Sequence, residues 1–312
     1  MNTFRRFLPF LLLLSLLTVP AAAQAAPSTY QRFDAKLVGG NKAGSAKKPA
    51  AVGLALRPYH QVGLAGGKDN TGGLNSGAVM ESPAFATAFA NIWLPKELKF
   101  NTGSFPGCNF ITVLNDPDLC PKGSEVGLKN SDDACGSAGK PLCSVYAKGL
   151  VRGIAPSNNL GSVAGLYALE TTLSIRIFVI STYENGSKAK DAIALRVLSP
   201  LTGNIIIPGQ LSKATGSAAK TYGNRMRFSI PRGLISPLPG LISQLTDFNA
   251  GMQKLSIKGQ PLIGLTGCPK SKKLTFGYNG EYVINAKTTS VGGGSFVVGE
   301  TGPVVKSLVA CK

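Results

Sequence analysis

Histidine, tryptophan and acidic side chains are all scarce in this chain of 312 residues. It holds one histidine, one tryptophan, and 15 acidic against 33 basic residues. A histidine-dependent nucleophile would have to rely on His60, which follows Pro58 and Tyr59 and precedes a glycine-rich stretch. A lone histidine in such a setting is a poor general base, having no partner to orient it. Leu37-Val38-Gly39-Gly40 looks like the new N-terminus of an activated trypsin-like protease, but the GDSGG serine motif of that family is missing. No C-x-x-C pair occurs, and the histidine is remote from every cysteine, which argues against a zinc site.

Other absences narrow the field further. After Phe7–Val19 no apolar run approaches the roughly eighteen residues that a spanning helix needs. GLAGGKD at Gly63–Asp69 has the wrong glycine spacing for a phosphate loop, and no Ser or Thr follows Lys68. Asp116, Asp118, Asp132 and Asp133 match no calcium loop. Ser271-Lys272-Lys273 lacks the S-x-x-K spacing that sets a serine and a lysine on one helix face. No cofactor or metal is expected.

What is present points outward from the cell. Arg5 and Arg6, the apolar Phe7–Val19 and the small residues Pro20–Ala25 have the three-part layout of an export signal, so residues 1–25 are expected to be removed. The remaining charge is then 31 − 15 = +16. Such a charge favours anionic partners: wall polymers, lipid surfaces or nucleic acid. The lysines are scattered and not interleaved with aromatic platforms, so no specific nucleic-acid site is expected. The six cysteines Cys108, Cys120, Cys135, Cys143, Cys268 and Cys311 make an even count, as three disulfides in an oxidising compartment require. Sequence order suggests the pairs Cys108–Cys120, Cys135–Cys143 and Cys268–Cys311, out of fifteen connectivities.

Glycine and β-branched residues dominate, and short alternating stretches recur between turn residues. This predicts an all-β, antiparallel, disulfide-stapled sandwich architecture, with regions 26–158 and 159–312 either side of a linker at Asn158-Asn159, or one continuous domain. Trp93 is expected in its core. Strands at Thr171–Thr182 and Asp191–Leu198 flank Asn185-Gly186. Centring that loop on Gly186 sets Ile175, Ile177 and Val179 opposite Val197, Leu195 and Ile193, at the cost of facing Arg176 with Arg196. Lys273–Tyr278 and Glu281–Ala286 predict a second hairpin with a two-residue turn at Asn279-Gly280, Phe276 meeting Val283. A helical turn is predicted at Leu241–Leu245, and a strand directly after Cys120.

Three stretches carry a resemblance: IWLPKELKFNTGSFPGC…DLCPKGSEVG, KTYGNRMRFSIPRGL…LTDFNAGM and LTGCPKSKKLTFGYNGEY. Together, from about Ala84 to the C-terminus, the chain resembles a group of uncharacterised secreted β-rich proteins of actinobacterial type. The resemblance implies an exported, disulfide-bonded β protein and supplies no catalytic residue. Cys135–Cys143 departs from that pattern.

Two functional expectations follow. The first is a non-enzymatic secreted or cell-envelope module that binds polyanionic wall or surface polymers, of unknown oligomeric state. The second is a carboxylate-dependent hydrolase acting on a polysaccharide, drawing two acids from Glu170, Glu184, Asp191, Asp247 and Glu281.

Overall fold

The computed structural model describes residues 31–60, 86–128, 146–153, 169–199, 202–237, 241–287 and 295–312. The expected export signal and the Cys135–Cys143 pair lie outside them. Along the first half run β1 (Gln31–Val38), β2 (Ala50–His60), β3 (Ala86–Pro95), β4 (Leu98–Phe100), helix α1 (Phe110–Asn115) and β5 (Tyr146–Gly153). Next come β6 (Leu169–Val179), β7 (Ala192–Ser199), β8 (Gly203–Lys213), β9 (Tyr222–Ser229), the short helix α2 (Arg232–Ile235) and β10 (Leu241–Met252). The chain ends with β11 (Ser256–Ile257), β12 (Gln260–Pro261), β13 (Ile263–Leu265), β14 (Lys273–Lys287), β15 (Ser295–Thr301) and β16 (Val305–Ala310).

The strands form a 14-stranded sheet in the order β15-β14-β3-β9-β8-β7-β6-β5-β10-β2-β13-β4, with β1 added to β2 and β16 to β14. Every ladder is antiparallel, and strands from both halves of the chain interleave: β3 lies between β9 and β14, β2 beside β10. The sheet rolls up so that β1 meets β16 and β14. Ala35 N donates to Ser307 Oγ at 3.0 Å across that seam, and Gln31 Oε1 accepts from Tyr282 Oη at 2.9 Å and Gly280 N at 3.2 Å. The inner faces close on one core: Leu54 and Leu56 of β2, Ile92 and Leu94 of β3, Ile175 and Ile177 of β6, Leu195 of β7, Met226 of β9, Phe276 and Tyr278 of β14. Alternate residues thus point inward, which is why the sequence shows period-two apolar patterning.

The β6–β7 ladder follows the predicted register: Ile175↔Val197, Ile177↔Leu195, Val179↔Ile193, with Arg176↔Arg196. Gly186 takes the left-handed φ of 77° at the tip, where Asn185 Oδ1 accepts from Ser187 N. Thr182 bridges Lys188, leaving the five-residue loop Tyr183–Ser187.

Three local expectations are corrected. Asn279-Gly280 makes no turn, because β14 runs straight through it as one strand of 15 residues. Phe276 pairs with Ser307, not Val283, and Tyr282 covers Gly280 of its own strand: a Cβ at Gly280 would lie 2.5 Å from the Tyr282 ring. Ladders on both sides, to β3 and to β16 and β15, override the turn signal. Leu241–Leu245 opens β10 because it pairs with Gly149–Gly153; the helical turn forms earlier, as α2, after Pro231.

The third correction concerns the first cysteine loop, Cys108–Cys120, whose Cα atoms are 5.3 Å apart. It encloses α1, capped by Asn109 Oδ1 accepting from Ile111 N. Among the described residues no regular strand follows it directly. Instead Ser124–Leu128 fills the gap between β6 and β10 beyond the end of β5: Val126 N donates to Ile177 O, and Leu128 N to Gly251 O, both at 2.8 Å. Phe110 and Val113 of α1 then cover Phe178, Ala192, Ala194 and Ile206 on the outer face of β6, β7 and β8. The second observed disulfide, Cys268–Cys311, has a Cα separation of 5.6 Å and fixes the end of β16 beside the entry to β14.

Candidate functional site

The acidic side chains proposed for hydrolysis are dispersed. Asp247 on β10 is clamped by Arg57 of β2 through two bonds, Nε to Oδ1 at 2.9 Å and Nη2 to Oδ2 at 2.8 Å. Glu281 on β14 receives Arg227 Nη2 at 2.9 Å and Asn91 Nδ2 at 3.0 Å, with the Arg227 guanidinium 4.0 Å above the Phe89 ring. Asp191 accepts from Thr102 Oγ1 at 3.1 Å. Glu184 is exposed beside Tyr183 and Asn185 on the rim of an open groove. Glu170 pairs with Leu150 in the β5–β6 ladder. The structure brings no two of the five into one hydrogen-bonded site among the described residues.

The remaining candidates also serve local structure. Asp116 Oδ1 accepts from Asp118 N at the start of the turn Pro117–Leu119, and no group of three metal-ligating side chains occurs among the described residues. Ser271 Oγ contacts the backbone of Lys273, not a lysine amine. His60 ends β2. Trp93 is not in the core. It projects from the outer face of β3, where its Nε1 donates to Asn279 Oδ1 at 2.6 Å, its ring lies 5.8 Å from Tyr222, and the Arg225 guanidinium stacks at 5.7 Å. Ile92 and Leu94 take the inward positions on either side of it, so the alternation of the strand turns Trp93 outward.

What the fold does gather is lysine. The antiparallel ladders bring the end of β1, the start of β2, the end of β3, the β8–β9 connection, the end of β10 and the start of β14 to one end of the rolled sheet. Hydrogen bonds tie these connections together: Ala43 N to Lys312 O, Gly44 N to Leu265 O, Thr266 N to Glu97 O, and Lys96 Nζ to Lys220 O. Exposed on them are Lys42, Lys47 and Lys48 after β1, Lys96 and Lys99 around β4, and Lys213 and Lys220 flanking the β8–β9 connection. Lys254 and Lys258 follow β10, Lys270, Lys272 and Lys273 lead into β14, and Lys312 ends the chain. Glu97 is the acidic residue among these connections, and it is half-buried.

This pole was not legible in the sequence, where the lysines are spread over some 270 positions, Lys42 to Lys312. The available signal was that many lysines fall in connections, although Lys36, Lys99, Lys148 and Lys306 sit inside strands. The β6–β7 connection at the same end adds Glu184 and Asp191 beside Lys188 and Lys190, so the amines outnumber the carboxylates there and make a diffuse positive field suited to an extended anion. Among the described residues no helix is long and apolar enough to cross a membrane. The chain matches no protein-family profile, no curated protein and no solved structure.

Proposed function

We propose that this chain is a non-enzymatic exported envelope protein that holds an anionic polymer against its lysine pole. The observation that carries the reading is the one-ended clustering of lysines drawn from six separate connections, with Glu97 as their one described acidic neighbour on those segments. Two disulfides support an oxidising compartment. A hydrolytic reading has no comparable support, since Asp247, Glu281 and Asp191 are each bound to a separate partner on a different strand pair. The polymer class is a polyphosphate or polycarboxylate, because ammonium groups attract such anions without demanding a fixed geometry.

The test is chromatography of residues 26–312 on immobilised anionic wall polymer and on sulfated dextran, eluted with salt. Retention should be strong at low ionic strength and collapse as the Debye length falls below about 10 Å. Lys272→Glu with Lys273→Glu should elute clearly earlier than the parent, whereas Lys306→Glu, on the barrel wall, should elute close to it. No retention at low salt, or an equal shift for both variants, overturns the proposal.

A further inference from the structure

The chain holds two Asn-Gly pairs, and the fold treats them in opposite ways. Asn279-Gly280 lies within β14, paired to β3. Asn279 is buried, its Oδ1 accepts from Trp93 Nε1 at 2.6 Å, and Gly280 N donates to Gln31 Oε1 at 3.2 Å. Asn185-Gly186 sits instead at the exposed tip of the Tyr183–Ser187 loop. The space into which a Gly186 Cβ would project is open.

The tip is arranged around the Asn185 amide. Asn185 Oδ1 accepts two hydrogen bonds from Ser187, one from N at 3.0 Å and one from Oγ at 2.6 Å. A side chain bonded to the nitrogen two residues on is folded back over the peptide nitrogen between them, here that of Gly186. The two Ser187 donors also address the oxygen on which negative charge collects when a nucleophile adds to the amide carbon. Fixed donors at that atom stabilise an oxyanion. Gly186 takes its φ of 77° without strain and has no side chain to shield its nitrogen. One contact opposes reaction: Gly186 N donates to Tyr183 O at 2.9 Å. That bond lies in an exposed loop, where local opening costs little.

From this contrast we infer that Asn185 is a self-modifying site: assisted by Ser187, its amide cyclises onto Gly186 N and hydrolyses to aspartate and isoaspartate, while Asn279 stays intact. Gly186 N loses its proton to solvent base and attacks Asn185 Cγ. The new N–C bond closes a succinimide ring, the Cγ–Nδ2 bond breaks, and Nδ2 leaves as ammonia. Water then opens the ring at either carbonyl. Attack at the side-chain carbonyl gives aspartate in the ordinary chain, and attack at the backbone carbonyl gives isoaspartate. Either route takes up a water, releases an ammonia and adds a carboxylate. The β6–β7 connection, balanced at present with Glu184 and Asp191 against Lys188 and Lys190, thereby becomes net negative. It lies at the lysine-bearing end, so conversion lowers the positive field there as the protein ages. This last consequence rests on the polymer-binding reading above; the conversion itself does not.

The experiment is incubation of residues 26–312 at neutral and alkaline pH, followed by peptide mass spectrometry with enzymatic labelling of isoaspartate. In the folded chain Asn185 should convert to both acids, faster at alkaline pH, while Asn279 remains unconverted. In urea the two asparagines should convert at similar rates, because the fold and not the Asn-Gly sequence separates them. Ser187→Ala should slow Asn185 by roughly 2–10-fold in the folded chain, the worth of an exposed hydrogen bond, and have no such effect in urea. Gly186→Ala, which shields the nitrogen, should slow it further. An intact Asn185, equal conversion of the two asparagines in the folded chain, or a Ser187→Ala chain that converts as fast as the parent overturns the proposal. On the anionic resin the converted chain should elute earlier than fresh protein. If the two elute together while conversion is seen, the modification site stands and the placing of the polymer at this end falls.

Discussion

Arg176 of β6 faces Arg196 of β7 directly across the ladder, and the two are kept apart electrostatically by what surrounds Arg176. Glu125 grips Arg176 with two bonds, at 2.9 and 2.8 Å, and Asp118 adds a third at 3.0 Å. The Glu125 hydrogen bonds hold the Arg176 guanidinium above its ordinary range, while burial and then the Arg176 charge push Arg196 down. Arg196 turns to the carbonyl of Leu114 at the end of α1. Both acids come from the stapled loop and its exit, so the loop supplies the charges that make this strand register tolerable.

Replacing Glu125 with Gln should therefore destabilise the fold. The pair is about one-third exposed, 33% and 36%, so solvent screening limits the loss to roughly 1 kcal/mol. The loss should shrink in an Arg196→Leu background, because part of the work of Glu125 is to offset the second guanidinium. Urea unfolding of the four proteins in this cycle measures the coupling. Additive losses would show that the two arginines do not sense each other.

The Cys108–Cys120 disulfide should act on stability and not on polymer retention. It closes a loop of sequence separation 12 around α1, which covers the outer core of β6, β7 and β8. Loop-closure arguments give about 2–4 kcal/mol for a crosslink of this size. The Cys108→Ser, Cys120→Ser variant should unfold at correspondingly lower urea and still elute from an anionic resin like the parent. A folded variant with lost retention would place the polymer contact at this loop instead of at the lysine pole.

How far the sequence discloses this arrangement depends on whether local pattern or tertiary pairing decides each element. The β6–β7 register was readable because six apolar residues must share one face, and only one parity allows it. Asn279-Gly280 misled because its turn preference is worth less than the ladders on both edges of β14. The gap filled by Ser124–Leu128 leaves no trace in periodicity, since it exists only because β5 starts at Tyr146. The lysine pole was equally hidden, because it depends on which strand ends coincide.

Gly280→Ala should be costly although glycine is usually a weakness within a strand. An added Cβ would come within 2.5 Å of the Tyr282 ring, and that ring cannot swing aside: it is buried, and its hydroxyl is bonded to Gln31. Overpacking of this kind costs about 1–3 kcal/mol. Because Gly280 N also bonds Gln31 Oε1, the damage should centre on the β1–β14 seam. Hydrogen exchange should then rise first in β1 and β16. A uniform loss of protection would place the strain elsewhere.

Alkaline pH should weaken the fold through Tyr278. Burial inside the barrel pushes its phenol well above the ordinary value of 10.0, with Tyr282 partly opposing the shift. The charged form is therefore the one the folded state excludes. Stability should be flat while the unfolded phenol stays protonated, below about pH 10, and fall as pH rises beyond it, by at most about 1.4 kcal/mol per pH unit for this group. Tyr222 is raised by burial as well, and its hydroxyl has no partner, so it should add a second, weaker slope. Tyr278→Phe retains the ring and removes the ionisation. Its stability near neutrality should change little, and above about pH 10 it should lose stability more slowly than the parent, with the Tyr222→Phe double variant flatter still. Urea midpoints measured across that range decide the matter, and parallel declines for all three proteins would show that phenol burial does not govern the alkaline limit.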